Sequence, residues 1–210
     1  MSTLTELFTF FGDVIELDFD QWDLRQTQLV LDRHQGWQQY NPRKQNNRQG
    51  LSVTSLDGGF SGIPDLDSLL EYNRENNTNL TEADFQRRTS IVNYLPELNP
   101  LLDEFNSNLG RCHFLRLNAG GFFPPHRDHE FSLPNNMLRI IVPFYNFHSS
   151  DMSWIFDSKV VQLREGIAYF MNTTKAHSLF SYVDGCTMLV LNVCATEDTM
   201  NRIVRKMRVY

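Results

Sequence analysis

After Gly110 the chain is cut into apolar runs too short to be amphipathic helices. "RCHFLRLN", "NMLRIIVPFYNF", "MSWIFD", "KVVQLRE", "IAYFMN", "HSLFSYV" and "TMLVLNVCA" are rich in β-branched and aromatic residues, and Gly, Pro, Asn or Asp separate them. Runs of this length bury their apolar side chains by pairing as strands, and many such strands punctuated by turn residues predict an all-β sandwich or barrel. A length of 210 residues allows one sizeable core, and 16 phenylalanines supply aromatic filling for it.

The first half reads differently. "DVIELD" predicts a short strand. Asp20 suits the cap of a helix running to about His34, with Trp22, Leu24, Leu29 and Leu31 as its apolar face. Residues 35–62 are polar and rich in Asn and Gly, interrupted by a strand over "LSVTSL"; helices are expected near Asp65 and Thr81. In "NPLLDEFNSNLG", Asn99 suits an N-cap, Pro100 the first helical position and Gly110 the stop. A last helix is expected from about Glu197 to Met207. With no repeat and no clean linker, residues 1–210 read as a single domain. Residues 1–110 form a helical and loop support that also faces the substrate, 111–196 a β-barrel core, and 197–210 a C-terminal helix.

Several function classes are disfavoured. A net charge of −6 does not suit a nucleic-acid partner, which calls for a basic face. No apolar run approaches the length of a membrane span. The acids in "MSTLTELFTFFGDVIELD" stand where a signal peptide would be basic, so a cytoplasmic location is expected. Cys112, Cys186 and Cys194 lack CxxC spacing and read as reduced thiols in or near a core.

The chemistry concentrates in "FFPPHRDHE", residues 122–130. Side chains two apart on a strand share a face, so His126 and Asp128 look one way while Arg127 and His129 look the other. An imidazole and a carboxylate side by side can take two adjacent positions on a metal. His177 follows a strand and a turn, opens "HSLFSY" and lies 49 residues beyond Asp128. A closed barrel can return it beside the first pair. Two histidines and one carboxylate on one face of an ion form the facial triad of non-heme Fe(II) oxygenases.

"HRD…LRIIVPF…LREGIAYFMNTTKAHSLFSY" resembles the core of the Fe(II)/2-oxoglutarate-dependent oxygenases, and within them the aspartyl/asparaginyl β-hydroxylase branch, over roughly residues 95 to 195. The resemblance implies a fold that is mainly β with flanking helices: a double-stranded β-helix barrel, jelly-roll and cupin-like, buttressed by N-terminal helices. It implies His126, Asp128 and His177 as ligands of Fe(II), with 2-oxoglutarate as co-substrate and dioxygen as second reactant. Arg139 in "MLRIIVPF" matches a family arginine suited to the far carboxylate of 2-oxoglutarate. A charge inside so apolar a strand needs a partner in any case.

Family members often carry a further arginine about ten residues after the distal histidine, where this chain has Thr187. Either Arg139 anchors the carboxylate with Thr187 adding a hydroxyl, or the co-substrate sits differently, or 2-oxoglutarate is not used. The expected reaction is hydroxylation of an unactivated C–H bond in an amino acid or a peptide or protein side chain. The alternatives are a cupin-like metal enzyme independent of 2-oxoglutarate and a non-catalytic ligand-binding barrel. Of His113 and Arg116, on opposite faces of one strand, one is expected to line the pocket. Trp37, Tyr40 and Arg48 are candidates for its rim.

Overall fold

The computed structural model describes residues 3–19, 22–44, 46–128 and 137–208. Helix α1 (Thr3–Phe11), strand β1 (Val14–Leu17) and helix α2 (Leu24–Arg33) lead into the short strands β2 (Gln38–Gln39), β3 (Arg48–Ser52) and β4 (Thr54–Ser55). Helix α3 (Leu69–Asn76) and strand β5 (Arg87–Arg88) precede two short helices, α4 (Ile91–Tyr94) and α5 (Asn99–Glu104). Then come β6 (His113–Leu117), β7 (Phe122–His126), β8 (Met137–Tyr145), β9 (Met152–Phe156), β10 (Lys159–Val160), β11 (Ala168–Met171), β12 (His177–Ser181) and β13 (Cys186–Cys194), followed by α6 (Glu197–Lys206).

The strands form a larger antiparallel sheet, β1-β11-β8-β13-β6-β3-β2, and a smaller one, β10-β9-β12-β7. The small pair β4-β5 stands apart. The fold is mainly β with flanking helices, a jelly-roll of the cupin type. The first half of the chain is more than a support, because β1 extends the larger sheet at one edge and β3 with β2 at the other.

Two apolar layers follow from the period of two along a strand. On β8, Leu138, Ile140, Val142 and Phe144 face the helices; on β13, Leu189, Leu191 and Val193 do the same. The alternate residues Ile141, Met188 and Val190 face the smaller sheet, where they meet Trp154, Phe156 and Leu179. Both faces of β8 and β13 are covered, which is why these runs are apolar apart from Arg139, Thr187 and Asn192. The helix layer is tied down by Trp22, whose ring meets Phe144 edge-on with centroids 5.4 Å apart.

Several local expectations change. Helix α2 is capped by Asp23, whose Oδ1 accepts from the Gln26 N–H at 2.9 Å; Asp20 lies outside the described residues. On α2 the buried residues are Thr27 and Leu31, while Leu29 is exposed. The helix expected near Asp65 starts at Leu69, and that near Thr81 is a single 3-10 turn over Glu82–Asp84. Helix α5 contains Asn99 within its first turn and ends at Glu104, six residues before Gly110. Gly110 serves packing instead: an added Cβ would lie 2.9 Å from the Glu82 carbonyl oxygen, with Met137 nearer still. Among the described residues no helix is long and apolar enough to cross a membrane.

Phe144 joins the sheet to the helix layer, so Phe144→Ala is expected to lower stability by about 3–5 kcal/mol. Phe122 stands on the outer face of the smaller sheet, 39% exposed, and Phe122→Ala is expected to change it by no more than about 0.5 kcal/mol. Urea unfolding of the two variants measures both.

Candidate metal centre

The two prolines of "FFPPHRD" decide where His126 points. Strand β7 is the edge of the smaller sheet, where a missing N–H costs no ladder bond on the open side. Its pairing with β12 runs Phe122↔Phe180, Phe123↔Leu179, His126↔His177, so three steps on β7 match two on β12. This irregularity falls over Pro124 and Pro125 and acts as a β-bulge. Phe123 and His126 are three apart and on a regular strand would face opposite ways; here both line the same cavity. The bulge turns His126 inward and sets it opposite His177.

Strand β7 ends at His126, and Asp128 lies beyond it. Its inward aim therefore comes from a hydrogen bond rather than from strand parity: the Asp128 N–H donates to the Thr173 carbonyl at 2.9 Å. The turn that carries Thr173 is itself fixed. The Asn172 side chain donates to Asp13 Oδ1 at 2.6 Å and accepts from Thr174 Oγ1 at 2.5 Å. His129 lies outside the described residues.

His126, Asp128 and His177 each offer one ligand atom, and these atoms lie within 4.8 Å of one another. Asp128 Oδ1 is 3.6 Å from His126 Nε2, and Oδ2 is 4.0 Å from His177 Nε2. The imidazoles are set in the form a metal needs. His126 Nδ1 lies 2.8 Å from the Pro124 carbonyl, and His177 Nδ1 lies 3.0 Å from the Lys175 carbonyl. A carbonyl only accepts, so in a neutral ring each contact puts the proton on Nδ1 and leaves the lone pair on Nε2. Phe123 stacks near His126 and Phe156 near His177, with centroids 6.1 and 5.8 Å apart. Burial lowers the pKa of His177, which favours the neutral ligand form.

The carboxylate has a different support. Burial raises the Asp128 pKa, but Arg139, then His177 and His126, outweigh it, and the group ends below the usual carboxylate range. Arg139 Nη1 sits 2.5 Å from Asp128 Oδ2, and its Nε donates to Asn192 Oδ1 at 3.1 Å. The Asn192 amide can be oriented in one way, because its other end donates to the Arg111 carbonyl at 2.8 Å and to Glu82 Oε2 at 3.3 Å. Glu82 in turn takes a two-pronged bond from Arg111, at 2.9 and 2.5 Å. Two acids, two guanidiniums and one amide thus form a continuous polar path from Asp128 back to the 3-10 turn in the first half of the chain.

The triad opens on a small cavity between the sheets, about 60 Å³ in volume and partly open to solvent. Arg139, His113, Tyr40, Trp154 and Asn192 line it together with Leu115, Ile141, Met188 and Val190. Arg116 faces the helix layer, where it binds Asp32 at 2.7 Å and lies over the Trp37 ring. Arg48 is buried over the Phe123 ring, 3.9 Å from its centre.

Thr187 is not in this cavity. It shares the face of Leu189 and Leu191, accepts from Arg116 Nε at 3.3 Å and donates to the Gly185 carbonyl at 3.0 Å. The cavity-facing residues of that strand are Met188, Val190 and Asn192. Asn192 escaped the sequence reading, although an amide inside "TMLVLNVC" poses the same question of a buried partner as the arginine in "MLRIIVPF".

No protein-family model matches the chain, and no curated protein matches it. Among solved structures it is similar to an oxidoreductase of the 2OG-Fe(II) oxygenase family from Burkholderia pseudomallei. The match has 12% identity and a TM-score of 0.55, and it covers 90% of this chain and 87% of that one. It is also similar to KdgF from Halomonas sp., with 11% identity, a TM-score of 0.39 and coverage of 80% and 93%. At 12% identity the first of these likenesses is one of fold.

Exchanging His126, Asp128 or His177 for Ala is expected to lower the affinity for Co(II) or Fe(II) at least about tenfold. Thr187→Val is expected to leave it within about twofold, since Thr187 faces the helix layer. Anaerobic calorimetry with each ion checks both.

Proposed function

We propose that this chain is an Fe(II)/2-oxoglutarate-dependent dioxygenase that hydroxylates an unactivated C–H bond. The observation that carries the reading is the convergence of two imidazole Nε2 lone pairs and one ionised carboxylate at the mouth of an inter-sheet cavity. That donor set, with two nitrogens and one oxygen on one side of an ion, suits Fe(II) and leaves the opposite positions for small molecules. The iron, when bound, supplies the activation of dioxygen, with 2-oxoglutarate as the source of electrons.

The remaining work belongs to the protein. His126, Asp128 and His177 hold the ion, their ring forms set by the Pro124 and Lys175 carbonyls. Arg139 keeps Asp128 ionised and aimed. Its guanidinium has N–H groups beyond those given to Asp128 and Asn192, and these suit an acidic co-substrate. Leu115, Ile141, Met188 and Val190 keep the cavity wall apolar and exclude water from the reacting centre.

The substrate class, an amino acid or a peptide or protein side chain, is supported by the motif resemblance to the aspartyl/asparaginyl β-hydroxylase branch. A small-molecule or peptide partner and a cytoplasmic location complete the reading, and the net charge of −6 speaks against nucleic acid.

One observation favours a second reading, a cupin-like metal enzyme that does not use 2-oxoglutarate. Strand β13 turns Thr187 toward the helices and offers the cavity Met188 and Val190, neither of which binds a carboxylate. Purified protein with Fe(II) and 2-oxoglutarate in air is expected to form succinate slowly even without substrate. Tight iron binding with no succinate would favour the second reading; no metal uptake at all would remove both.

A further inference from the structure

Among the described residues, two buried polar atoms on the cavity wall find no partner. Trp154 Nε1 and His113 Nδ1 make no hydrogen bond with them, and the residues are only 4% and 3% exposed. Both residues line the cavity of the His126/Asp128/His177 group. An indole N–H can only donate, so what is missing at Trp154 is an acceptor. Burial, and then the charges of Arg111 and Arg139, hold the His113 pKa well below its usual value, which favours the neutral ring; with its proton on Nδ1 that ring is a donor.

The strand registers fix their depth. On the smaller sheet His177 pairs with Phe156, and Leu179 pairs with Trp154. On the larger sheet Asn192 pairs with Arg139, while Val190 pairs with both Ile141 and His113. Trp154 and His113 therefore each stand one same-face step below the layer of His177 and Arg139, a descent of about 7 Å at about 3.3 Å per residue. At the lower layer Ile141, Leu179 and Val190 stand beside them, and Leu115, opposite Met188, lies one step deeper. A ligand that spans this descent has a polar head at the upper layer and an acceptor at the lower end, where its neighbours are apolar.

We propose that Trp154 and His113 form a subsite of neutral donors that receives the far carboxylate of a short acid whose other end lies at the His126/Asp128/His177 centre. This rests on the 2-oxoglutarate reading and deepens it. The anchor is a pair of ring N–H groups, with no arginine or hydroxyl from β13. The positive field of Arg111 and Arg139 offsets the cost of burying the carboxylate, although the Arg111 side chain is engaged by Glu82 and by the Asp67 carbonyl. Trp154 and His113 act as specificity-determining residues for the acid and take no part in holding the ion.

The test uses the full chain loaded with Mn(II) under nitrogen and titrated with 2-oxoglutarate, and separately with 2-oxobutyrate, which lacks the far carboxylate. Trp154→Phe, which keeps the ring packing, and His113→Leu are each expected to weaken 2-oxoglutarate about tenfold or more. Mn(II) and 2-oxobutyrate affinities are expected to stay within about twofold of the parent. The parent protein, nitrogen-15 labelled and loaded with Zn(II), is expected to show the Trp154 indole N–H resonance shifting on addition of 2-oxoglutarate but not of 2-oxobutyrate. That measurement stands even if a variant fails to fold. Unchanged 2-oxoglutarate affinity in Trp154→Phe, an equal loss for both acids, or an unmoved indole resonance would overturn the anchor while leaving the dioxygenase reading intact. A parent protein that takes up Mn(II) but binds neither acid would overturn both.

Discussion

Everything about the site depends on β8 and β13 being buried on both faces. Each presents one set of apolar side chains to the helices and the alternate set to the smaller sheet. A strand in that position cannot slip by one residue without driving its entire inner set outward. The phase of these two strands thus puts Arg139 and Asn192 in the cavity and takes Thr187 out of it. Hydrophobic burial, which is indifferent to chemistry, fixes which polar groups face the cavity.

The polar groups then support one another. Asp128 sits half-buried among cations, Arg139 is held by Asp128 and Asn192, and Asn192 is oriented by Glu82 and the Arg111 carbonyl. Such a chain is stable only when every member is satisfied, since a half-made buried network costs more than an apolar one. It also explains why residues 82 and 111, outside the strands of the two sheets, belong to the description of the site. Among the described residues that line the same cavity, Trp154 and His113 depart from this rule.

Much of this was legible in the sequence. The apolar runs after Gly110 gave the strands, and the order of "HRD", "LRII" and "KAHS" gave the residues that meet at the cavity mouth. What could not be read were departures from regularity. Strand parity puts His126 in phase with Pro124 and out of phase with Phe123, yet the bulge over the prolines brings Phe123 and His126 to one side. The phase of β13 was hidden because both its faces are apolar; Asn192 was its marker, and reading inward from it leaves Thr187 outside. The strands within "DVIELD" and "LSVTSL" were legible, but β2 and β5, two polar residues each, are strands only through pairing with β3 and β4, which local sequence does not reveal.

The turn that presents Thr173, Lys175 and His177 is moored to Asp13, 159 residues earlier, through the Asn172 side chain. Strand β1 lies beside β11, and Glu16 binds Arg164 across a separation of 148 residues. Closures over such lengths carry a high entropic cost and come late, so chains built on them condense slowly. The triad cannot gain its final shape while a nascent polypeptide is still being extended through its middle strands. Maturation of this centre is an event of the whole chain, and the opening segment takes part in it as fully as the histidines do.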